Sequence, residues 1–230
     1  MEDAFILKVN DISASYGQSK VLFGVSFNLG PHERIAIVGR NGAGKTTLLK
    51  CVAALLKPTS GFVVYEGEEI TGRKPFEVAR AGLKYVHQDK GVFQDLTVRE
   101  NLKLSSYATG DYDWSKVFKY FPKLKILLDK KGAGLSGGEK QMLMIGRAIL
   151  GSPKVLLLDE PTEGLAPGIV SDLATVFCEL SENTALVIVD QNLSFISKIA
   201  QRVYGIKEGK MVVEISDTQE IQQASYSRFL

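Results

Sequence analysis

The stretch Gly39-Arg40-Asn41-Gly42-Ala43-Gly44-Lys45-Thr46-Thr47 decides the fold of this 230-residue chain. It follows the apolar segment Arg34–Val38 and leads into a helix-compatible run at residues 46–55. Its glycines let backbone N–H groups turn towards phosphate oxygens, and the N-terminus of the following helix adds partial positive charge. In such a loop, Lys45 reaches the β- and γ-phosphates and the Thr46 hydroxyl is placed to bind Mg²⁺. The spacing therefore predicts a nucleoside triphosphate site between a strand and a helix.

Composition and charge restrict the classes of protein to which the chain can belong. Apolar residues make up 45% and charged residues 23%, as in ordinary soluble globular domains. The formal net charge of +2 gives no electrostatic case for a nucleic-acid partner. No apolar run approaches the roughly 18 residues of a membrane span, and residues 1–4 lack a signal-peptide layout. Cys51 and Cys178 are isolated, which favours packed thiols over a disulfide or metal pair. We expect one domain in the cytosol.

Apolar segments alternate with helical patterns in the first and last thirds of the chain, which predicts an α/β fold around a mainly parallel sheet. The predicted strands, of which the first two form an N-terminal antiparallel β piece, are 5–9, 25–29, 62–65, Leu83–Val86, 155–158, Ala185–Val189 and 203–206. From about 75 to 150 the pattern is mostly helical, with candidate helices at 98–107 and 117–128. We interpret this range as a helical subdomain inserted into the α/β core of one domain, 1–230.

Two further motifs follow the phosphate loop. The segment Leu135-Ser136-Gly137-Gly138-Glu139-Lys140-Gln141 precedes a helical run at 142–150, and the strand at 155–158 ends in Asp159 and Glu160. Adjacent carboxylates at the end of a buried strand imply a metal or a proton-transfer task. With three motifs in this order, the chain resembles the ATP-binding cassette family, the nucleotide-binding subunits of ABC transporters, over essentially its whole length. The resemblance implies a P-loop NTPase core, ATP and Mg²⁺ as ligands, and ATP hydrolysis.

The resemblance also assigns roles to the motif residues. The stretch from Gly39 to Thr47 corresponds to the Walker A loop, and Asp159 to the Walker B aspartate that holds Mg²⁺. Glu160 matches the carboxylate that orients and deprotonates the attacking water. Ser136, Gly137 and Gly138 match the signature, which contacts the γ-phosphate bound by the opposite subunit. The resemblance therefore implies two cassettes stacked head to tail around two ATP molecules, each chain supplying half of each site.

Three residues outside these motifs receive roles in the same way. Gln88 matches the Q-loop glutamine, whose amide contacts Mg²⁺ and reports the nucleotide state to the membrane subunits; the alternative is a solvated loop glutamine. Tyr16 corresponds to the aromatic residue that stacks on adenine, with an ordinary surface tyrosine as the alternative. His87 is interpreted as a loop residue and not as a catalytic base.

The chain departs from the general cassette pattern at two positions. Many members carry a histidine where Gln191 stands. An amide can hydrogen-bond a γ-phosphate but cannot become cationic, so we assign the general-base role to Glu160 and keep Gln191 as an assisting catalytic residue. Many cassettes have an aspartate where Ala166 stands. We expect the contact that this aspartate makes with the other subunit to be absent here or to be made by the backbone.

These two departures indicate one subfamily of ABC transporter ATPases. The segment Glu160-Pro161-Thr162-Glu163-Gly164-Leu165-Ala166-Pro167 and the triplet Asp190-Gln191-Asn192 resemble the ATPase subunits of branched-chain amino-acid and urea-type importers. Such a subunit is peripheral on the cytoplasmic face of the membrane. Its implied partners are a second ATPase subunit, identical or paralogous, transmembrane permease subunits and, indirectly, a solute-binding protein. The alternatives are the ATPase of another ABC system, such as a lipid or lipopolysaccharide exporter, a soluble cassette of DNA repair, translation or cofactor assembly, and a non-enzymatic ATP-dependent scaffold.

Overall fold

The computed structural model describes residues 5–89 and 91–224. The strands have the following bounds: β1 Leu7–Tyr16, β2 Ser19–Leu29, β3 Arg34–Val38, β4 Ser60–Tyr65, β5 Glu68–Glu69, β6 Leu83–Val86, β7 Val155–Asp159, β8 Ala185–Val189, β9 Arg202–Lys207 and β10 Lys210–Ile215. The helices have the following bounds: α1 Lys45–Val52, α2 Pro75–Arg80, α3 Val98–Thr109, α4 Ser115–Tyr120, α5 Pro122–Ile126, α6 Gly137–Ile149, α7 Pro167–Leu180, α8 Leu193–Ile199 and α9 Thr218–Gln222. The N-terminal residues 1–4 and the end of the polar tail, 225–230, lie outside the described residues.

A six-stranded sheet in the order β10-β9-β3-β8-β7-β6 forms the centre of the fold. The strands from β9 to β6 are all parallel, and β10 joins the edge antiparallel to β9. This confirms the predicted α/β fold with a mainly parallel sheet. The register pairs Ile37 and Asp159 with the same residue of β8, Val189, so the loops that follow β3, β7 and β8 leave the sheet at one edge. Ligands of parallel sheets bind at this carboxyl edge.

The predicted N-terminal antiparallel piece is a four-stranded sheet in the order β2-β1-β4-β5. Its first strand runs to Tyr16 and not only to residue 9 as predicted. The apolar alternation breaks at Asp11, whose φ of 50° and register shift mark a bulge, after which the pairing with β2 resumes. A bulge inserts a residue without ending the strand, so the period-2 pattern underestimates the strand's length.

Two hydrophobic cores lie on opposite faces of the six-stranded sheet. Ile35 and Ile37 of β3 pack against the antiparallel sheet and α1, whereas Ala36 and Val38 belong to the core shared with α3 to α8. Because both faces are buried, the central strands β3, β7 and β8 are apolar except at Arg34 and Asp159, and they show no alternation.

Helices α3 to α6 lie between β6 and β7 in the sequence and pack against one another. The predicted single helix at 117–128 is wrong: α4 ends at Tyr120 and α5 begins at Pro122. Proline lacks an N–H and disfavours helical backbone in the preceding residue, and Phe121 accordingly has φ −131° and ψ 68°. The range 75–150 is not wholly helical, because it also contains β6, a strand of the central sheet. That this range forms an inserted helical subdomain stays a prediction.

Both cysteines are free thiols, as predicted. Cys51 belongs to α1 and lies in the core, and burial raises its pKa to about 12. Among the described residues, no helix combines the length and the apolar composition that crossing a membrane requires.

Candidate active site

The carboxyl edge of the sheet brings several of the predicted site residues, among them Lys45, Thr46 and Glu160, to one cleft of about 490 Å³. Residues of the loop between β3 and α1 form one wall, and Gln88, Glu160 and Glu163 form the other. Each comes directly after a parallel strand or within its following loop, which explains why residues so distant in sequence meet.

The glycine-rich loop wraps around the ammonium group of Lys45. Gly44 is the N-cap of α1 at φ 105°, a conformation that favours glycine. Lys45 Nζ donates to the carbonyl oxygens of Gly39 at 2.8 Å and Arg40 at 3.1 Å, and only 4% of the residue is exposed. Burial lowers the pKa of Lys45, while the negative charges of nearby carboxylates, first that of Glu160, oppose the shift. The loop thus presents backbone amides, a helix N-terminus and a cation to the same cleft.

Asp159 is the last residue of β7 and is buried, and both of its carboxylate oxygens accept hydrogen bonds. Thr46 Oγ1 donates to Oδ1 at 3.1 Å, and the Tyr85 hydroxyl donates to Oδ2 at 2.7 Å. Burial and the bond to Asp159 raise the pKa of Tyr85 well above its ordinary range, so its hydroxyl is a donor at neutral pH.

The residues present fit Mg²⁺. Hydroxyl, carboxylate and amide oxygens suit this cation, which is commonly bound by one or two carboxylates together with substrate phosphates. In the described part of the chain, no group of three or more His, Cys, Asp or Glu side chains is arranged to hold a metal by itself. Phosphate oxygens would therefore have to complete the coordination that Thr46 and Asp159 begin.

Glu160 follows Asp159 and is held by groups from three different loops. Its φ is 47°, and its N–H donates to the carbonyl oxygen of Val189 at 2.7 Å. A non-glycine residue in this region costs about 1 kcal/mol, and such strain clusters at functional sites. Gln191 Nε2 donates to Oε1 at 3.0 Å, Gln88 Nε2 donates to Oε2 at 3.1 Å, and Lys45 Nζ lies 3.8 Å from Oε1. The carboxylate therefore faces the cleft in a fixed orientation.

Three residues of this site were not among the predicted site residues. Tyr85 holds Asp159, as described above, and Glu163 accepts a hydrogen bond from Gln88 Nε2 at 3.0 Å. Buried Asp190 accepts from the N–H and hydroxyl of Thr162 and from the N–H of Asn192, which ties the loop after β7 to the loop after β8. Asp190 carries the same signal as Asp159, an acid that ends a wholly apolar strand. Nothing in the sequence pattern distinguishes Tyr85 from a core tyrosine.

The signature segment lies apart from this cleft. Ser136 is the N-cap of α6: its Oγ accepts from the N–H of Glu139, and the Glu139 carboxylate accepts from the N–H of Ser136. That backbone bond and the ammonium of Lys123 lower the pKa of Glu139 to about 2, so the cap is charged at neutral pH. Within the described residues, 136–138 are not among those that line the cleft around Lys45.

The remaining predicted residues lie at the margins. Tyr16 ends β1, is 48% exposed and is not among the residues that line the cleft, so its contact with adenine stays a prediction. The His87 ring lies 4.1 Å from the ring of Tyr85, and burial lowers its pKa. Ala166 is the N-cap of α7 and makes no side-chain hydrogen bond there. The roles assigned to Gln88 and Gln191 likewise stay predictions, although both side chains lie against Glu160.

Residues 22–163, more than half of the chain, match the protein family described as ABC transporter. The chain is 37% identical to the high-affinity branched-chain amino acid transport ATP-binding protein BraG of Pseudomonas aeruginosa, over 90% of this chain and 91% of that protein. It is 34% identical to the probable branched-chain amino acid transport ATP-binding protein LivF of Archaeoglobus fulgidus, over 90% of each chain. The lipopolysaccharide export system ATP-binding protein LptB of Haemophilus influenzae is 32% identical, over 90% of this chain and 89% of that protein.

Solved structures agree with these relatives. The fold superposes with a TM-score of 0.86 on an ATP-binding cassette of an ABC transporter in its ADP conformation. The two chains are 28% identical, and the match covers 96% of this chain and 94% of that one. The predicted P-loop NTPase core is thereby confirmed.

Proposed function

The chain belongs to the ABC transporter family, and we propose that it is the ATP-hydrolysing subunit of an importer for branched-chain amino acids or a related amide such as urea. The observation that carries the enzymatic part is the position of Glu160. Its carboxylate lies 3.8 Å from Lys45 Nζ, in the cleft that is also lined by Thr46, whose hydroxyl donates to Asp159. A base, a phosphate-binding cation and a magnesium-type ligand pair thus face one volume.

ATP binds with its phosphates in the loop around Lys45, where backbone amides and the α1 N-terminus receive the negative charge. Thr46, Asp159 and the amide of Gln88 would hold Mg²⁺, which neutralises phosphate charge when bound. Glu160 accepts the proton of the attacking water, and the amides of Gln88 and Gln191 hold its carboxylate in place. Lys45 stabilises the charge that develops on the transferred phosphoryl group.

A second ATPase subunit completes the site. Ser136 and the glycines after it lie outside the cleft of their own chain, yet they begin a helix whose N-terminus suits an anion. Pairing with an identical or paralogous cassette would place this N-terminus on the γ-phosphate bound by the first chain. The chain works as half of a pair.

The permease subunits bind beside the strand that ends just before Gln88. A second cleft, of about 460 Å³, lies between β6 and α6 and is lined by Lys84, Tyr85, His87 and Arg147. A cytoplasmic segment of a permease seated there would touch the strand that leads directly to Gln88. This arrangement makes the chain a peripheral protein of the cytoplasmic face.

Sequence identity favours import of amino acids over export of lipopolysaccharide. The chain is 37% and 34% identical to two amino-acid transport proteins and 32% identical to the exporter subunit. The triplet Asp190-Gln191-Asn192 and Ala166 favour the same subfamily. Soluble cassettes that act on nucleic acid are disfavoured by the small net charge of +2.

Transport by the reconstituted complex tests the proposal. The tagged chain is isolated from membranes with its permease subunits, inserted into proteoliposomes that contain ATP, and supplied with the solute-binding protein and labelled leucine. We expect ATP-dependent uptake with the wild-type chain and none with Glu160→Gln. Isolation with exporter subunits, together with absence of leucine uptake, would contradict the importer assignment.

A further inference from the structure

We propose that Tyr85 is a positioning residue for the magnesium site: its hydroxyl fixes one oxygen of Asp159 so that the other is presented to the cation. This inference rests on the proposed function, because it assigns a role within the same ATP site. Its support is the pair of bonds on Asp159, from Tyr85 to Oδ2 at 2.7 Å and from Thr46 to Oδ1 at 3.1 Å.

The sheet register explains how Tyr85 reaches this carboxylate. β6 and β7 are parallel neighbours in which Tyr85 is paired with Leu157. Asp159 follows Leu157 by two residues and therefore points to the same face of the sheet. A long aromatic side chain spans this diagonal, which a shorter side chain could not reach.

The environment of Tyr85 holds its hydroxyl in place. The residue is half-buried, packs against the core beneath the antiparallel sheet, and has the His87 ring 4.1 Å away. Asp159 itself is only 2% exposed, so little water competes for Oδ2. With one oxygen engaged by a rigid neighbour, the carboxylate cannot rotate freely, and Oδ1 stays beside Thr46 Oγ1.

Groups that hold metal ligands affect metal affinity although they never touch the metal. Replacing such a partner costs about 10- to 100-fold in metal affinity in other proteins. Tyr85→Phe removes the hydroxyl and keeps the ring and its packing. We therefore expect it to raise the Mg²⁺ concentration needed for tight nucleotide binding, without weakening the binding of nucleotide alone.

The experiment measures binding of adenylyl imidodiphosphate, which is not hydrolysed, by calorimetry in EDTA and across a Mg²⁺ titration. Tyr65→Phe is the matched control, because Tyr65 is also buried and its hydroxyl donates a single bond, to the Ala81 carbonyl oxygen at 3.1 Å. We expect all three proteins to bind equally in EDTA, and only Tyr85→Phe to require about 10-fold more Mg²⁺.

A Mg²⁺ requirement of Tyr85→Phe equal to that of Tyr65→Phe would overturn the inference. Weaker binding of Tyr85→Phe in EDTA would also overturn it, since that result indicates a structural role. Adding Tyr85→Phe to Asp159→Ala should change the Mg²⁺ requirement no further, and an additional loss would show that Tyr85 acts by another route. Failure of the wild-type chain to bind the nucleotide would instead contradict the proposed function.

Discussion

Glu160 and Gln191 occupy one hydrogen-bonded cluster but have different chemical capacities. The carboxylate can accept a proton from water, whereas the amide can only donate or accept hydrogen bonds. Gln191 Nε2 donates both to Glu160 Oε1 at 3.0 Å and to Asn41 Oδ1 at 2.6 Å, so it joins the proposed base to the phosphate loop. On this basis, Gln191 orients the Glu160 carboxylate.

We therefore predict different losses of turnover for the two residues. Glu160→Gln should keep ATP binding, form a long-lived closed dimer and lower kcat by at least about 100-fold, because it removes the base. Gln191→Ala should lower kcat by no more than about 10-fold, the value of one neutral hydrogen bond. Steady-state ATPase assays on both variants, with nucleotide binding measured in parallel, check this. Gln191→Ala as inactive as Glu160→Gln would mean that the amide is essential.

At the scale of elements, the turn between β9 and β10 supports the phosphate loop from behind. Gly209 donates its N–H to the Ala43 carbonyl oxygen at 3.0 Å and accepts from the N–H of Phe23 at 2.9 Å. A Cβ at Gly209 would overlap the Val21 carbonyl oxygen. The turn is thus wedged between β2 and the nucleotide-binding loop.

The chain contains an internal control for this turn. Glu208-Gly209 has φ values of 47° and 72°, and Glu66-Gly67 between β4 and β5 has 50° and 79°, but a Cβ at Gly67 would meet no atom within 4 Å. Both glycine-to-alanine changes carry the backbone strain of about 1–2 kcal/mol. We predict that only Gly209→Ala displaces the phosphate loop.

The expected result is a nucleotide affinity at least about 10-fold lower in Gly209→Ala, since sub-ångström positioning of binding groups is costly to lose. Gly67→Ala should lower the melting temperature but leave the Kd unchanged. Calorimetric binding and thermal unfolding on the two variants check this. Equal nucleotide affinities in both variants would show that the turn does not position the loop.

The elements also show what the sequence could predict. The phosphate loop, the strand that ends in Asp159 and Glu160, and the parallel sheet were predictable because each carries a local signal of spacing or apolar run. The strand β10 was missed, since its alternation of exposed and partly buried residues includes Lys210 and Glu214 and resembles a surface segment. The contact between Tyr85 and Asp159 exists because β6 and β7 are adjacent in the sheet. The local sequence pattern does not predict the order of strands in a sheet.

On the scale of the whole molecule, the site of one chain is open on one side. Lys45, Thr46 and Glu160 line the cleft at the carboxyl edge of the sheet. Among the described residues, 136–138 at the capped N-terminus of α6 do not line it. The separation of these two features within one chain is the reason to expect a composite site. We therefore propose that turnover requires pairing of two cassettes.

The most direct test is the ATPase rate per chain across about a 100-fold dilution, with the fraction of paired chains measured at each concentration by light scattering, since mass action separates an obligate pair on dilution. We predict that the rate per chain falls in proportion to the paired fraction and vanishes in the monomer. A monomer that hydrolyses ATP at the full rate, unchanged by dilution, would contradict the account.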